Sequence, residues 1–146
     1  MKKLNVIFFL IVLCSLLSGC YNNEFIQNNI KTWITVDHNS DLIFTKLGEL
    51  YDDDYINKKQ KDEFITLGNK VYKNLEEAKD LLQKYGWDYE VDNTGDIALR
   101  QSVITKMKEL VFNYRQLEQK FLLIYITSTE ELIDLPEIFI FEEILQ

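Results

Sequence analysis

The chain has 146 residues, a net charge of −8 at neutral pH, one histidine and two cysteines. That length is one domain's worth, and so acidic a chain is repelled on average by phosphate backbones, which argues against nucleic acid as a partner. A disulfide framework and a thiolate–imidazole metal centre are both excluded by so few cysteines and histidines.

The N-terminus opens with Met1-Lys2-Lys3 and continues from Leu4 to Leu17 as an apolar run broken only by Asn5, Cys14 and Ser15. A short basic segment followed by an apolar one is the order of a secretory signal. The run is about 14 residues, whereas an α-helix needs roughly 20 to span a hydrocarbon core. It ends in Leu17-Ser18-Gly19-Cys20, which resembles the lipobox of bacterial lipoproteins. The resemblance implies cleavage between Gly19 and Cys20, a diacylglyceryl group on the Cys20 sulfur, and acylation of the new amino terminus, with palmitate among the expected chains. Two or three acyl chains anchor firmly, because each buried methylene is worth roughly 0.8 kcal/mol. The expected organisation is a cleaved signal at 1–19, a lipidated tether at 20–24 and one domain at 25–146. Loss of Lys2 and Lys3 with the signal takes the charge from −8 to −10. Cys14 leaves with the signal too, so Cys20 is the mature chain's only sulfur nucleophile and its role is attachment.

The first element of the domain runs from Phe25 to Tyr51. Ile26, Ile30, Trp33, Phe44, Leu47 and Tyr51 follow a three-four spacing that Asp37 and Ser40 interrupt, so a helix is predicted with a kink or break between Asp37 and Asp41. A second helix is clearer. Phe64, Gly68, Val71, Leu75, Ala78, Leu82 and Tyr85 recur at steps of four and three on one seam. Asn57 and Gln60 make a capping box, Gly86 a C-terminal cap, and Lys58 and Lys59 sit against the helix dipole. Gly68 and Ala78 either let a neighbour come close or merely interrupt the seam.

The third helix carries Val103, Met107, Leu110, Tyr114, Leu117, Phe121 and Ile124, widened by Ile104, Val111 and Tyr125. Asn93-Thr94-Gly95-Asp96 before it reads as a turn followed by a cap. In the last twenty residues, Ser128 with Glu131 and Asp134 with Glu137 have capping-box spacing, and Pro136 suits a first helical turn. One or two short helices are expected there, with Ile138–Phe141 as helix or lone strand. The predicted fold class is all-α: an elongated three-helix bundle, its sequential neighbours antiparallel, with the acidic C-terminal segment packed on its side or end.

The stretch Leu50-Tyr51 through Ile56-Asn57-Lys58-Lys59-Gln60-Lys61 to Leu67-Gly68-Asn69 resembles the helical hairpin of small bacterial and phage proteins. That resemblance covers about a third of the mature chain and implies a helical hairpin without catalytic residues.

Three clusters carry candidate chemistry. His38 stands alone in a polar stretch and reads as solvated. Asp52-Asp53-Asp54, with Glu63 at the twelfth position, suggests a calcium loop, but Ile56 and Asn57 stand where a fifth-position ligand and a sixth-position glycine belong. Tyr85, Trp87 and Tyr89, beside Asp88, Glu90, Asp92 and Asp96, would suit a sugar- or protein-binding surface, with Trp87 and Tyr89 as its contacts; the alternative is that the rings cap the bundle. No G-x-S-x-G elbow or Gly-rich phosphate loop occurs. Nothing fixes a pair of carboxylates for glycoside hydrolysis. The expectation is therefore a non-enzymatic envelope lipoprotein on the extracytoplasmic face of a membrane, from a host with one membrane or two, and from a cell or a mobile element. Its partners would be the bilayer through Cys20 and another envelope protein, with a homo-oligomer as a further arrangement; no cofactor or metal is expected. The alternative is a binding module for cell-wall glycan or a small ligand built on the Tyr85–Tyr89 loop.

Overall fold

The computed structural model describes the backbone of residues 2–87, 93 and 95–138, with side chains from residue 24 onward in those ranges. Three helices, α1 (Lys2–Asp52), α2 (Lys58–Tyr85) and α3 (Ile97–Thr129), pack against one another as the predicted three-helix bundle. α1 passes without interruption through residues 20–24.

On α2 every one of the seven predicted seam positions is buried, and Asn74 joins them. The helix opens with the predicted box. Asn57 Oδ1 accepts from the Gln60 amide and Gln60 Oε1 accepts from the Asn57 amide, both at 2.9 Å, which satisfies two of the amides that a helix start leaves unpaired. It closes at Gly86, whose φ of 142° suits a residue without Cβ,. On α3 the seam from Val103 to Phe121 is buried, while Ile124 at its end is half-buried. Asp96 Oδ1 caps the helix through the Leu99 amide at 2.9 Å, and the preceding turn is closed by the Asp96 amide on the Asn93 carbonyl.

Cross-helix pairs fix the directions. Phe25 meets Tyr85, Trp33 reaches Leu75, Asp41 meets Tyr72 and Tyr51 lies under Lys61, so α1 and α2 are antiparallel. Glu63 pairs with Lys120, Asn74 with Asn113 and Glu77 with Lys106, so α2 and α3 are antiparallel as well. α1 and α3 run parallel, with Phe25 beside Arg100 and Asn39 beside Tyr114.

α1 departs from its sequence reading in two respects. It does not break between Asp37 and Asp41. Its buried stripe is Phe25, Ile26, Asn29, Thr32, Val36, Asn39, Ser40, Ile43, Leu47 and Leu50, so four polar side chains stand on the seam. Three of them bond within their own helix: Asn29 Nδ2 to the Phe25 carbonyl, Thr32 Oγ1 to the Asn28 carbonyl and Ser40 Oγ to the Val36 carbonyl. A side chain that bonds the carbonyl one turn back carries its polarity into the core with its hydrogen bond already made. Ile30, Trp33, Phe44 and Tyr51, placed on the seam from sequence, flank it half-buried.

The turn between α1 and α2 is a helix stop. Asp54 adopts φ 61°, its amide donates to the Tyr51 carbonyl, and the Tyr55 amide donates to the Leu50 carbonyl. This 5→2 and 6→1 pairing is a Schellman closure, with aspartate where glycine is usual. Ile56 then tucks into the core.

The C-terminal expectation is corrected over the described residues. α3 ends when Glu130 takes φ 58°, and 130–138 form no helix. The expected Ser128–Glu131 box is replaced by the Glu131 amide donating to the Thr129 hydroxyl, and Glu137 lies in non-helical chain. The segment instead returns along the bundle, half-burying Ile133 and Leu135 and burying Ile138 against the core. Of the Ile138–Phe141 alternative, residues 139–141 lie outside the described residues.

Candidate functional site

Two ends of the bundle differ in chemistry. At one, Phe25 packs edge-on to Tyr85 at 5.4 Å and the Arg100 guanidinium lies 3.8 Å over the Phe25 ring, so the Phe25 turn of α1, the end of α2 and the start of α3 converge. Leu50 lies 25 residues further along α1, about 38 Å away at 1.5 Å per residue. The opposite end therefore holds the α1–α2 turn and the end of α3.

The aromatic cluster lies at the first end. Tyr85 is wholly buried and belongs to the core. Trp87 is half-buried, with its ring edge-on to Trp33 at 5.2 Å, and the Trp33 Nε1 donates to the Leu75 carbonyl at 2.7 Å. Lys79 Nζ stands 5.7 Å from the Trp33 ring. The chain's two tryptophans thus form one contact that seals α1 against the end of α2. Tyr89, Asp88, Glu90 and Asp92 lie outside the described residues.

At the far end a polar cavity of about 260 Å³ opens between α1, the turn and the end of α3. Lys46, Glu49, Tyr55, Tyr125 and Glu131 line it, with Leu50 at its apolar wall. Lys46 Nζ pairs with Glu49 at 2.7 Å, and this hydrogen bond holds the lysine above its ordinary range. Tyr125 hydroxyl reaches Glu131 at 3.4 Å. Lys46 is the one cation in the lining, against the carboxylates of Glu49, Asp53 and Glu131, so the cavity is acidic on balance.

The third feature was not foreseen from sequence. Asn39 Nδ2 donates to the Tyr114 hydroxyl at 3.0 Å and to the Pro136 carbonyl at 2.9 Å. Tyr114 in turn donates to Glu118 Oε1 at 3.0 Å, and Arg115 donates to Glu118 Oε2 at 2.6 Å. Burial first, and then the Glu118 charge, push the Tyr114 hydroxyl's pKa well up, so it stays a neutral donor. One buried amide therefore ties α1, α3 and the returning segment together. Asn39 Oδ1 has no protein partner. A buried asparagine looks like a break in an apolar pattern, which is why periodicity passes over it.

The remaining candidates fall to structural roles. His38 is exposed on α1. Asp52, Asp53 and Asp54 are exposed around the helix stop, while Glu63 is engaged by Lys120 at 2.6 Å, which lowers its pKa. Among the described residues no group of three or more histidine, cysteine, aspartate or glutamate side chains converges as metal ligands. Gly19 and Cys20 lie in the part of α1 whose side chains are outside the described residues. Among the described residues no helix is long and apolar enough to cross a membrane.

No protein-family model, curated protein or solved structure matches this chain.

Proposed function

We propose that the chain is a lipid-anchored protein of the cell envelope that works by contact and not by catalysis. The observation that carries this reading is the order of the N-terminus: two lysines, an apolar run too short to span, and Leu17-Ser18-Gly19-Cys20,. Several of the described carboxylates are held by lysines across α2 and α3. Glu77 and Glu109 both hold Lys106, at 2.6 and 2.7 Å, and Glu63 holds Lys120. A bundle closed in this way offers its surface.

Anchored at Cys20, the Phe25–Tyr85–Arg100 end faces the bilayer and the polar cavity faces away from it. The test is crosslinking in cells of the tagged protein against a Cys20→Ala control. An envelope protein recovered with the wild-type chain and lost with the variant supports the reading. Equal recovery of nothing by both overturns its contact function.

A second reading uses Trp87, whose remaining exposed surface beside Trp33 and Lys79 would suit stacking on a sugar ring,. It requires pelleting with purified wall material that depends on Trp87.

A further inference from the structure

The returning segment, residues 130–138, is held differently from the rest of the fold. It has no helix or strand of its own, and it seats by Ile133, Leu135 and Ile138 against the core. At its start the Glu130 and Glu131 amides donate to the Ile126 carbonyl and the Thr129 hydroxyl of α3, and further along its Pro136 carbonyl accepts from Asn39. The groove that receives it lies between α1 and α3, which touch less extensively than either touches α2. That groove presents a donor, the Asn39 amide, at its floor.

The joint between α3 and this segment is one residue. Glu130 sits at φ 58°, a conformation that costs a side chain with a Cβ energy, while its amide makes the last bond of α3 to the Ile126 carbonyl,. Leu132, two residues on, is 89% exposed, and Leu123 and Ile126 on the last turns of α3 are exposed as well. Large apolar side chains left in water on both sides of a strained hinge are what an open, exchanged arrangement would cover, and opening would release the hinge.

We propose that residues 131–138 exchange between two copies of this chain, each segment seating in the α1/α3 groove of the other with its Pro136 carbonyl on the other copy's Asn39. The occupant is a second copy because the groove already fits this sequence, and each contact in the closed monomer recurs unchanged between molecules. Two copies of an acidic chain repel, so exchange increases with ionic strength. The proposal gives the contact function a partner class, yet it does not depend on the lipid anchor.

The test uses the full chain in detergent micelles with Cys14→Ser and Cys20→Ser, so that introduced thiols are the only ones. Two differently tagged forms are co-expressed, one with His38→Cys and one with Glu137→Cys, both exposed neighbours of the Asn39–Pro136 contact, and treated with a short bismaleimide. A covalent product carrying both tags is expected. Adding Glu130→Gly, which accepts the hinge conformation, should move the exchange equilibrium about ten-fold toward the closed monomer at unchanged helical circular dichroism. No two-tag product, while His38→Cys/Glu137→Cys on one chain crosslinks within itself, overturns the proposal. So does a two-tag product that Glu130→Gly leaves unchanged. Absence of any crosslink in either format overturns it too, because the segment would then not occupy the groove.

Discussion

The ring of Phe44 on α1 occupies the space that the Cβ of residue 68 on α2 would fill: a methyl built on Gly68 overlaps the far edge of that ring. Phe44 is also tilted against Tyr72 at 5.8 Å, so it is wedged between two turns of α2. The glycine on the second seam is therefore a contact point between helices.

Gly68→Ala sets two effects against each other. Helix propensity favours alanine by about 1 kcal/mol, whereas forcing a packed ring aside costs about 1–3 kcal/mol. Crowding is expected to win, with a net loss of about 1 kcal/mol in chemical unfolding. Phe44→Leu in the same chain should return most of it, and additive losses in that double-mutant cycle would show that the two residues are not coupled.

Asn39→Asp keeps the shape and replaces the amide that donates to the Tyr114 hydroxyl and the Pro136 carbonyl with a charged acceptor. A loss of about 3 kcal/mol is expected, because a buried charge without its partner is costly. The loss should shrink at acid pH, where the new carboxyl protonates and becomes a donor. A pH-independent loss would contradict the assigned bonds.

Both left-handed helix stops occupy a side chain where glycine is unstrained. Glu130→Gly should stabilise by about 1 kcal/mol, and Asp54→Gly by less, since aspartate tolerates this conformation better,. The comparison is one of unfolding midpoints, and destabilisation by either variant would contradict the backbone geometry at that stop.

Acid and base act on this fold with opposite signs at different residues. Glu109, lowered by hydrogen bonds from Lys106 and Asn74, contributes stability present above the unfolded carboxylate range and lost as pH falls through its folded value,. Lys106 is raised by Glu109 and then Glu77, so its contribution is present below the ordinary lysine range and lost as pH rises through its folded value. Asp37 is raised by burial and by Asp41, so stability falls as pH rises from the ordinary carboxylate range through that raised value. Thermal melts should show Asp37→Asn more stable than wild type near neutral pH. Glu109→Gln should be less stable there, and both differences should vanish below the carboxylate range. Differences of the same sign would contradict the two environments.

Trp87→Ala removes half of the tryptophan pair. It is expected to cost about 2 kcal/mol, from lost apolar area and the edge-on contact,. It should also change the emission of Trp33, the sole remaining indole. Loss of wall pelleting at unchanged helical circular dichroism would favour the glycan reading; unchanged pelleting would remove it.

α2 and α3 were legible because their seam positions at steps of four and three are apolar or small, so spacing marked them, and only the buried Asn74 and Glu118 beside them escaped it. α1 was legible only in outline. Asn29, Thr32, Asn39 and Ser40 sit on its buried stripe, three of them bonded to carbonyls one turn back in α1, so a pattern of apolar letters moved the seam one position outward to Ile30, Trp33 and Phe44. The Asn39 network stayed hidden because its partners lie far along the chain, at Tyr114 and Pro136. In the C-terminal segment the capping letters were present, but the left-handed turn at Glu130 had already sent the chain back along the bundle, where Ile133, Leu135 and Ile138 find apolar cover. Asp52 to Asp54 carried a calcium-like spelling because the same short acidic run also makes a solvated helix stop.

The proposed lipid anchor at Cys20 would decide the orientation and the setting of everything else. Cells grown with radiolabelled palmitate should yield a labelled protein whose mature N-terminus begins at residue 20, and Cys20→Ala should abolish both label and cleavage. Undiminished label in Cys20→Ala, or an unlabelled wild-type chain, would contradict the anchor and with it the proposed envelope function.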